Sequence, residues 1–243
     1  MIADVWTVMW KEWKEMLSHG VGRGRLTPLI MVGVFGVFLP LQIGRGWVES
    51  PQVLLYWAWV PIFLVSAIVA DAFAGERERH TLETLLATRL SDRAILIGKS
   101  CAAVAYGWGL TLVSLVLGLV TVNLAQGGGE ILLYPPLMAG GALGVSLLTA
   151  WLAAGAGVLI SLRAATVRQA QQTLSMATLI LLFVPILGLR ALPPETQARL
   201  MELLQGGEAG QVLLIAVVVL LVLDAGLLAA AMARFRRARL ILD

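Results

Sequence analysis

Long apolar runs separated by short polar stretches dominate the pattern of this chain. Six runs approach or exceed the roughly 20 apolar residues that a helix needs to cross a membrane. Polar and apolar residues do not alternate along them, and in lipid a backbone must satisfy its own polar groups, so each run predicts a helix. The predicted fold class is an all-α, polytopic membrane protein. The predicted spans are Leu26 to Gly44, Val53 to Ala70, Ser100 to Ala125, Leu132 to Leu162, Thr173 to Leu189 and Gln211 to Ala233.

The fourth run is longer than a hydrocarbon core requires, so its helix must tilt, bend or protrude. Pro135, Pro136, Gly140 and Gly141 lie early in this run. Proline removes a backbone donor and glycine lowers helix stability, so these four positions are the predicted sites of a bend.

Two further helices are predicted outside the spans. In residues 1–19, Trp6, Trp10 and Trp13 recur at helical spacing, with charged residues on the opposite face. This pattern predicts an amphipathic helix in the membrane interface with its tryptophans at headgroup level, the alternative being a helix packed on a soluble partner. In residues 191–208, prolines precede and glycines follow an amphipathic stretch, which predicts a short external helix between the fifth and sixth spans.

The composition agrees with a membrane protein. The 243 residues are 59% hydrophobic and 14% charged, whereas soluble domains are roughly 45–50% apolar and about 25% charged. We therefore expect one transmembrane domain over residues 1–243. The net charge of +3 does not indicate nucleic-acid binding, because the basic residues form short clusters beside the apolar runs.

The lysines and arginines also predict the orientation. Only Arg45, Arg190 and Arg199 fall on one side of the predicted topology. The other side carries Lys11, Lys14, Arg23, Arg25, Arg77, Arg79, Arg89, Arg93, Lys99, Arg163, Arg168, Arg234, Arg236, Arg237 and Arg239. Because cytoplasmic loops are the basic ones, we expect a multi-pass protein of the cell (inner) membrane with both termini in the cytoplasm.

The sequence offers few residues that could form a catalytic or metal-binding site. Cys101 is the only cysteine and lies in an apolar run, which indicates a packing residue, and neither His19 nor His80 lies in a span. Asp71 ends the second span, and we expect it to pair with an arginine of the following loop. Asp224 lies well inside the sixth span, where a carboxylate is costly; it could line a translocation path, carry a proton or make a helix–helix contact. We predict no catalytic and no metal site.

The loop between the second and third spans is the most informative segment. Thr81 can cap a short helix whose Leu82, Leu85 and Leu86 share one face. Residues 75–92 therefore present a small apolar ridge among charges. The ridge indicates either a docking element for a partner or a basic cytoplasmic loop whose leucines dip into the membrane surface.

The run GERERHTLETLLAT, which begins at Gly75, and the run LSDRAILIGK, which ends at Lys99, resemble the signature of the ABC-2 type exporter permeases. The segment WKEWKEML before the first span, the stretch RQAQQ from Arg168 that enters a fifth span with Pro185, and the external helix fit the same family in order. The resemblance covers essentially the whole chain. Some members have a large external domain that this sequence lacks, so the substrate class is not indicated.

The resemblance implies a transmembrane exporter subunit that dimerises, as a homodimer in the simplest case, on two ATPase subunits, with the loop as a coupling helix. No G-x-x-x-x-G-K-[ST] sequence occurs here, so we expect no cofactor in this chain and ATP with Mg in the partner ATPase. The expected partners are this ABC ATPase, a second permease copy and membrane lipid, and no nucleic acid. The residues implied at the ATPase contact are Gly75, Glu76, Arg77, Thr81, Leu82, Glu83, Leu85 and Leu86.

Three other functions compete with this interpretation. An ion-coupled secondary transporter or channel is the main alternative, since Asp224 could couple protons and a broken fourth helix could line a site. Dependence on an ATPase would distinguish the two. A membrane anchor that only recruits a partner would show no substrate-stimulated ATP turnover. An intramembrane enzyme is disfavoured because no Ser/His pair, aspartate pair or metal set is placed within the spans.

Overall fold

The computed structural model describes residues 1–18, 26–81, 87–205 and 209–235. All regular secondary structure in these ranges is helical, which confirms the all-α prediction. The elements are α1 (Ile2–Ser18), α2 (Leu26–Gly33), a π-helical turn (Val34–Phe38), α3 (Leu39–Ile43), α4 (Gly46–Glu49), α5 (Val53–Glu78), α6 (Asp92–Gln126), α7 (Pro136–Ser161), α8 (Val167–Ala191), α9 (Pro194–Gln205) and α10 (Ala209–Arg234).

Five of the described helices, α5, α6, α7, α8 and α10, are long and apolar enough to cross a membrane. The first predicted span is instead a shorter apolar helix over Pro28–Ile43. At 1.5 Å per residue this helix is about 24 Å long, less than the roughly 30 Å of a hydrocarbon core. The prediction of a multi-pass membrane protein is therefore confirmed, whereas the count of six spans remains a proposal.

The π-helical turn lies where the first apolar helix crosses α6 closely. A Cβ at Gly36 would approach the Leu117 Cβ to 2.9 Å, so only a glycine permits this crossing. Thr121 of α6 donates its hydroxyl proton to the Gly36 carbonyl at 2.8 Å. A π turn is typical where an inserted side chain satisfies the freed backbone group.

The predicted bend in the fourth span is wrong. Residues 132–135 are not helical, and α7 begins at Pro136 and continues without a break through Gly140 and Gly141 to Ser161. Pro136 occupies the first helical turn, where the missing N–H has no intrahelical acceptor to lose. The extra residues of the apolar run, 132–135, therefore form a non-helical segment that precedes α7.

Helix α5 lies at the centre of the bundle and packs against α6, α7 and α8. Its contact with α7 is close, because a Cβ at Gly157 would approach the Val69 Cβ to 3.0 Å. The buried Ser161 hydroxyl donates to the Ala70 carbonyl at 3.1 Å and accepts from the Ala74 N–H at 3.0 Å. These contacts fix the last turns of α5 against the end of α7.

Candidate functional site at the charged end of α5

Charged side chains from three helices meet in the interior at the end of α5. The Lys99 Nζ on α6 donates to the Glu12 Oε1 on α1 at 2.8 Å and to the Glu76 Oε1 on α5 at 2.7 Å. These three residues are buried, and Lys99 is only 3% exposed. Lys11 of α1 places its Nζ 3.5 Å from the same oxygen of each carboxylate. We call Lys11, Glu12, Glu76 and Lys99 the Lys99 cluster.

The Lys99 cluster balances its own charges. Burying an ion costs several kcal/mol unless a close opposite charge and hydrogen bonds compensate, and here two ammonium groups face two carboxylates. Burial acts to lower the pKa of Lys11, but the carboxylates of Glu12, Glu76 and Glu15 outweigh it and raise this pKa. A group with a raised pKa loses its contribution to stability only as the pH rises through that value, so Lys11 remains charged beside the two carboxylates at neutral pH.

The next two residues of α5 bind the ends of two other helices. Arg77 donates to the Leu162 carbonyl at 2.9 Å and to the Ala164 carbonyl at 2.8 Å, just past the end of α7. The Glu78 Oε2 accepts from the Val167 N–H at 3.0 Å, at the first residue of α8. A cation at a helix C-terminus and an anion at an N-terminus both complement the helix dipole. Glu76, Arg77 and Glu78 thus connect α5 to four helices.

Helix α5 then ends in a left-handed residue. His80 has φ +56°, and its N–H bonds the Arg77 carbonyl at 3.1 Å while the Thr81 N–H bonds the Glu76 carbonyl at 2.9 Å. This pair of bonds is the Schellman motif that terminates helices. The Thr81 hydroxyl donates to the same Glu76 carbonyl at 3.3 Å. The direction in which the chain leaves α5 is therefore fixed at the point where residues 82–86 begin.

Helix α1 packs on α6 through a glycine. A Cβ at Gly98 would approach the Val8 Cβ to 2.7 Å and the Val5 carbonyl oxygen to 3.0 Å. Val8 and Glu12 form the buried face of α1, whereas Trp6, Trp10 and Trp13 are between 37% and 59% exposed. The tryptophans therefore face away from the bundle and are free to contact lipid.

Replacing Gly98 with valine is expected to displace α1 and loosen the Lys99 cluster. Overpacking of this kind costs about 1–3 kcal/mol, and we expect a lower unfolding temperature and faster tryptic cleavage at Lys11 and Lys14. Gly109→Val is the matched control, because a Cβ at Gly109 on the same helix meets nothing within 4 Å. Equal behaviour of the two variants would contradict the assigned α1–α6 contact.

The structure describes four of the eight predicted contact residues, and one of them, Thr81, follows the end of α5 as described above. Gly75, Glu76 and Arg77, expected in a loop, form the last turns of α5, which runs past the predicted span end at Ala70. Glu76 and Arg77 are turned inward to the contacts described above. Leu82, Glu83, Leu85 and Leu86 lie outside the described residues.

Asp71 and Asp224 have different surroundings. The Asp71 carboxylate pairs with Arg79 at 3.2 Å, above Gly75, which confirms the predicted pairing with an arginine. Asp224 lies on α10, and neither of its carboxyl oxygens hydrogen-bonds within the described part of the chain. The structure therefore does not bring Asp224 together with the Lys99 cluster. Within the described ranges, no group of three or more His, Cys, Asp or Glu side chains is placed to hold a metal ion.

Sequence reasoning missed Glu12 and Lys99. Glu12 lies in the segment WKEWKEML and Lys99 in LSDRAILIGK, two of the segments that resemble the transporter family. The fold brings both residues to Glu76, which lies in GERERHTLETLLAT. The available signal was a lysine enclosed by apolar residues at the start of a predicted span. Such a cation requires a buried anion, but the sequence alone does not say which one.

Two comparisons with known proteins bear on this site. Residues 3–186 match the family model described as ABC-2 type transporter. The matched range contains all but the first residue of α1, the Lys99 cluster, residues 82–86 and most of α8. No curated protein matches the chain.

Proposed function

The chain belongs to the ABC-2 type transporter family, and from this premise we propose that it is the membrane subunit of an ATP-driven exporter. Membership makes it a membrane component of a transporter. The proposal adds the direction of transport, a homodimer, and coupling to a separate ATPase through the loop that follows α5.

The contacts made by the last turns of α5 carry this proposal. A partner that pushes on residues 82–86 acts on the end of α5, which is tied to α1 and α6 through Lys99, to α7 through Arg77 and to α8 through Glu78. Packed and hydrogen-bonded elements move together. A displacement of the loop would therefore be distributed over most of the bundle.

These contacts divide the coupling segment by role. Glu76 is 5% exposed and cannot face a partner, so we assign Glu76 and Arg77 to anchoring the loop. The ATPase contact then falls to Thr81, Leu82, Glu83, Leu85 and Leu86, whose leucines would fill a groove while the charged residue sets the register. ATP and Mg would be bound by the ATPase.

The remaining surfaces fit a dimer in a membrane. Among the described residues, only 12% of the most apolar stretch of α8 and none of that of α10 is buried by the rest of the chain. These uncovered faces are available to lipid and to a second copy. The outward tryptophans of α1 would lie at the headgroups on the cytoplasmic side. The distribution of basic residues predicts that both termini lie on that side, and α9 would then lie outside.

An ion-coupled transporter is the second candidate, favoured only by the unpaired Asp224. Reconstitution of the chain with its ATPase in proteoliposomes distinguishes the two. We expect the ATPase to hydrolyse ATP at a different rate with the chain than without it. Replacing the P-loop lysine of the ATPase should abolish this hydrolysis. An ATPase whose turnover is the same with and without the chain would reject the exporter proposal.

A further inference from the structure

Asp224 places a carboxyl group deep in the predicted bilayer. It lies about 22 Å along α10 from Ala209 and about 15 Å from Arg234, at 1.5 Å per residue. A hydrocarbon core is about 30 Å thick. Neither end of the helix therefore brings this side chain to the headgroups.

The carboxyl group faces α7. A Cβ at Gly141 would approach the Leu213 Cδ2 to 3.1 Å, and one at Gly155 would approach the Leu227 Cβ to 2.9 Å. The two contacts have the same sequence offset, so α7 and α10 run parallel and in register. Asp224 lies one turn before Leu227, and both of its carboxyl oxygens are buried. They therefore lie in the contact between the two helices.

This contact offers no counter-charge within the described residues. Helix α7 has no charged or titratable residue from Pro136 to Ser161, and its Ser146 and Thr149 hydroxyls donate to carbonyls of their own helix. The other charged residue of α10 is Arg234. Helix α9 also contacts α10, and it joins α10 at the end remote from Asp224; its charged residues are Glu195, Arg199 and Glu202.

We propose that Asp224 is a proton-binding site within the membrane, its carboxyl group carrying a proton at neutral pH and exchanging it when water enters between α7 and α10. An ionised carboxylate in this place would lose its hydration, and no nearby positive charge would compensate for that loss. An isolated buried acid therefore binds a proton and becomes neutral instead. The proposal does not depend on the ATPase. It identifies the α7–α10 contact as the place where opening of the bundle would release or bind a proton.

Dicyclohexylcarbodiimide, an apolar reagent, tests the proton on the full chain in membranes. The acid proton passes to a carbodiimide nitrogen, the carboxylate oxygen bonds to the central carbon, and the adduct rearranges to a stable N-acylurea. At about pH 7 we expect the reagent to modify the peptide that contains Asp224. The Asp224→Glu variant should still be modified at this position, and the Asp224→Asn variant should not. Asp71, paired with Arg79 and 47% exposed in its side chain, serves as the internal control and should remain unmodified.

Infrared difference spectra of the wild type and Asp224→Asn provide a second measurement that does not require reagent access. We expect a protonated-carboxyl C=O band at neutral pH that Asp224→Asn lacks. A carboxylate band from Asp224 at neutral pH, or the absence of any carboxyl difference between the two proteins, would overturn the proposal whatever the labelling shows. Because neither measurement involves ATP, their failure leaves the exporter proposal unaffected.

Discussion

Lys99→Met is expected to destabilise the protein by about 3–5 kcal/mol, the cost of leaving buried charges without their partner. The substitution removes the ammonium group that the Glu12 and Glu76 carboxylates share at 2.8 and 2.7 Å. Methionine keeps most of the side-chain volume, so the loss is electrostatic rather than steric. For a chain of this size the loss corresponds to roughly 6–20 °C in unfolding temperature, measurable by thermal denaturation in mild detergent.

Two variants make this test specific. The triple variant Glu12→Gln, Glu76→Gln and Lys99→Met removes the three buried charges and should recover most of the stability, because a neutral replacement of buried ions is often tolerated. The half-exposed Lys11 keeps its ion pair with Glu15 at 3.2 Å. Lys14→Met is the matched control, since Lys14 lies over the exposed Trp10 ring and outside the cluster. A triple variant no more stable than Lys99→Met alone would show that the cluster is not held together by its charges.

The double substitution Leu85→Asp and Leu86→Asp is expected to abolish association with the ATPase. Burying a leucine contributes about 1.5–3 kcal/mol, so losing two from an interface weakens binding by roughly 10²- to 10⁴-fold. Co-purification of the tagged chain with its ATPase measures the loss. The chain itself should keep its elution volume and unfolding temperature, because Glu76, Arg77 and Glu78, which hold α5 against its neighbours, are unchanged.

Leu85→Met with Leu86→Met is the matched control for this pair. It keeps volume and apolar character and should retain the partner. An aspartate variant that still retains the ATPase at the wild-type ratio would remove the ridge from the contact and favour leucines that lie on the membrane surface.

The apolar runs predicted the long helices because lipid-facing residues are constrained by composition alone. They did not predict where α5 ends or where α6 begins. The charged last turns of α5 run on to Glu78, and α6 begins at Asp92 rather than Ser100. Hydropathy stops at the first charges, and these extensions carry Glu76 and Lys99.

The sequence also could not predict that Glu12 pairs with Lys99 at the candidate site. Glu12 and Lys99 are separated by 87 residues, and only the packing of α1 on α6 at Gly98 brings them together. The tryptophans of α1 lie on one exposed face of the helix, but their spacing in the sequence could not show that Glu12 on the opposite face is buried. Helical periodicity identifies faces, and tertiary contacts decide what each face meets.

Affinity purification of the tagged chain in mild detergent, with mass spectrometry and an ATPase assay of what accompanies it, tests the central claim most directly. We predict recovery of a P-loop ATPase near one-to-one with the chain and ATP turnover in the purified complex. A stable protein that purifies without an ATPase, and whose transport runs on an ion gradient alone, would contradict the exporter assignment.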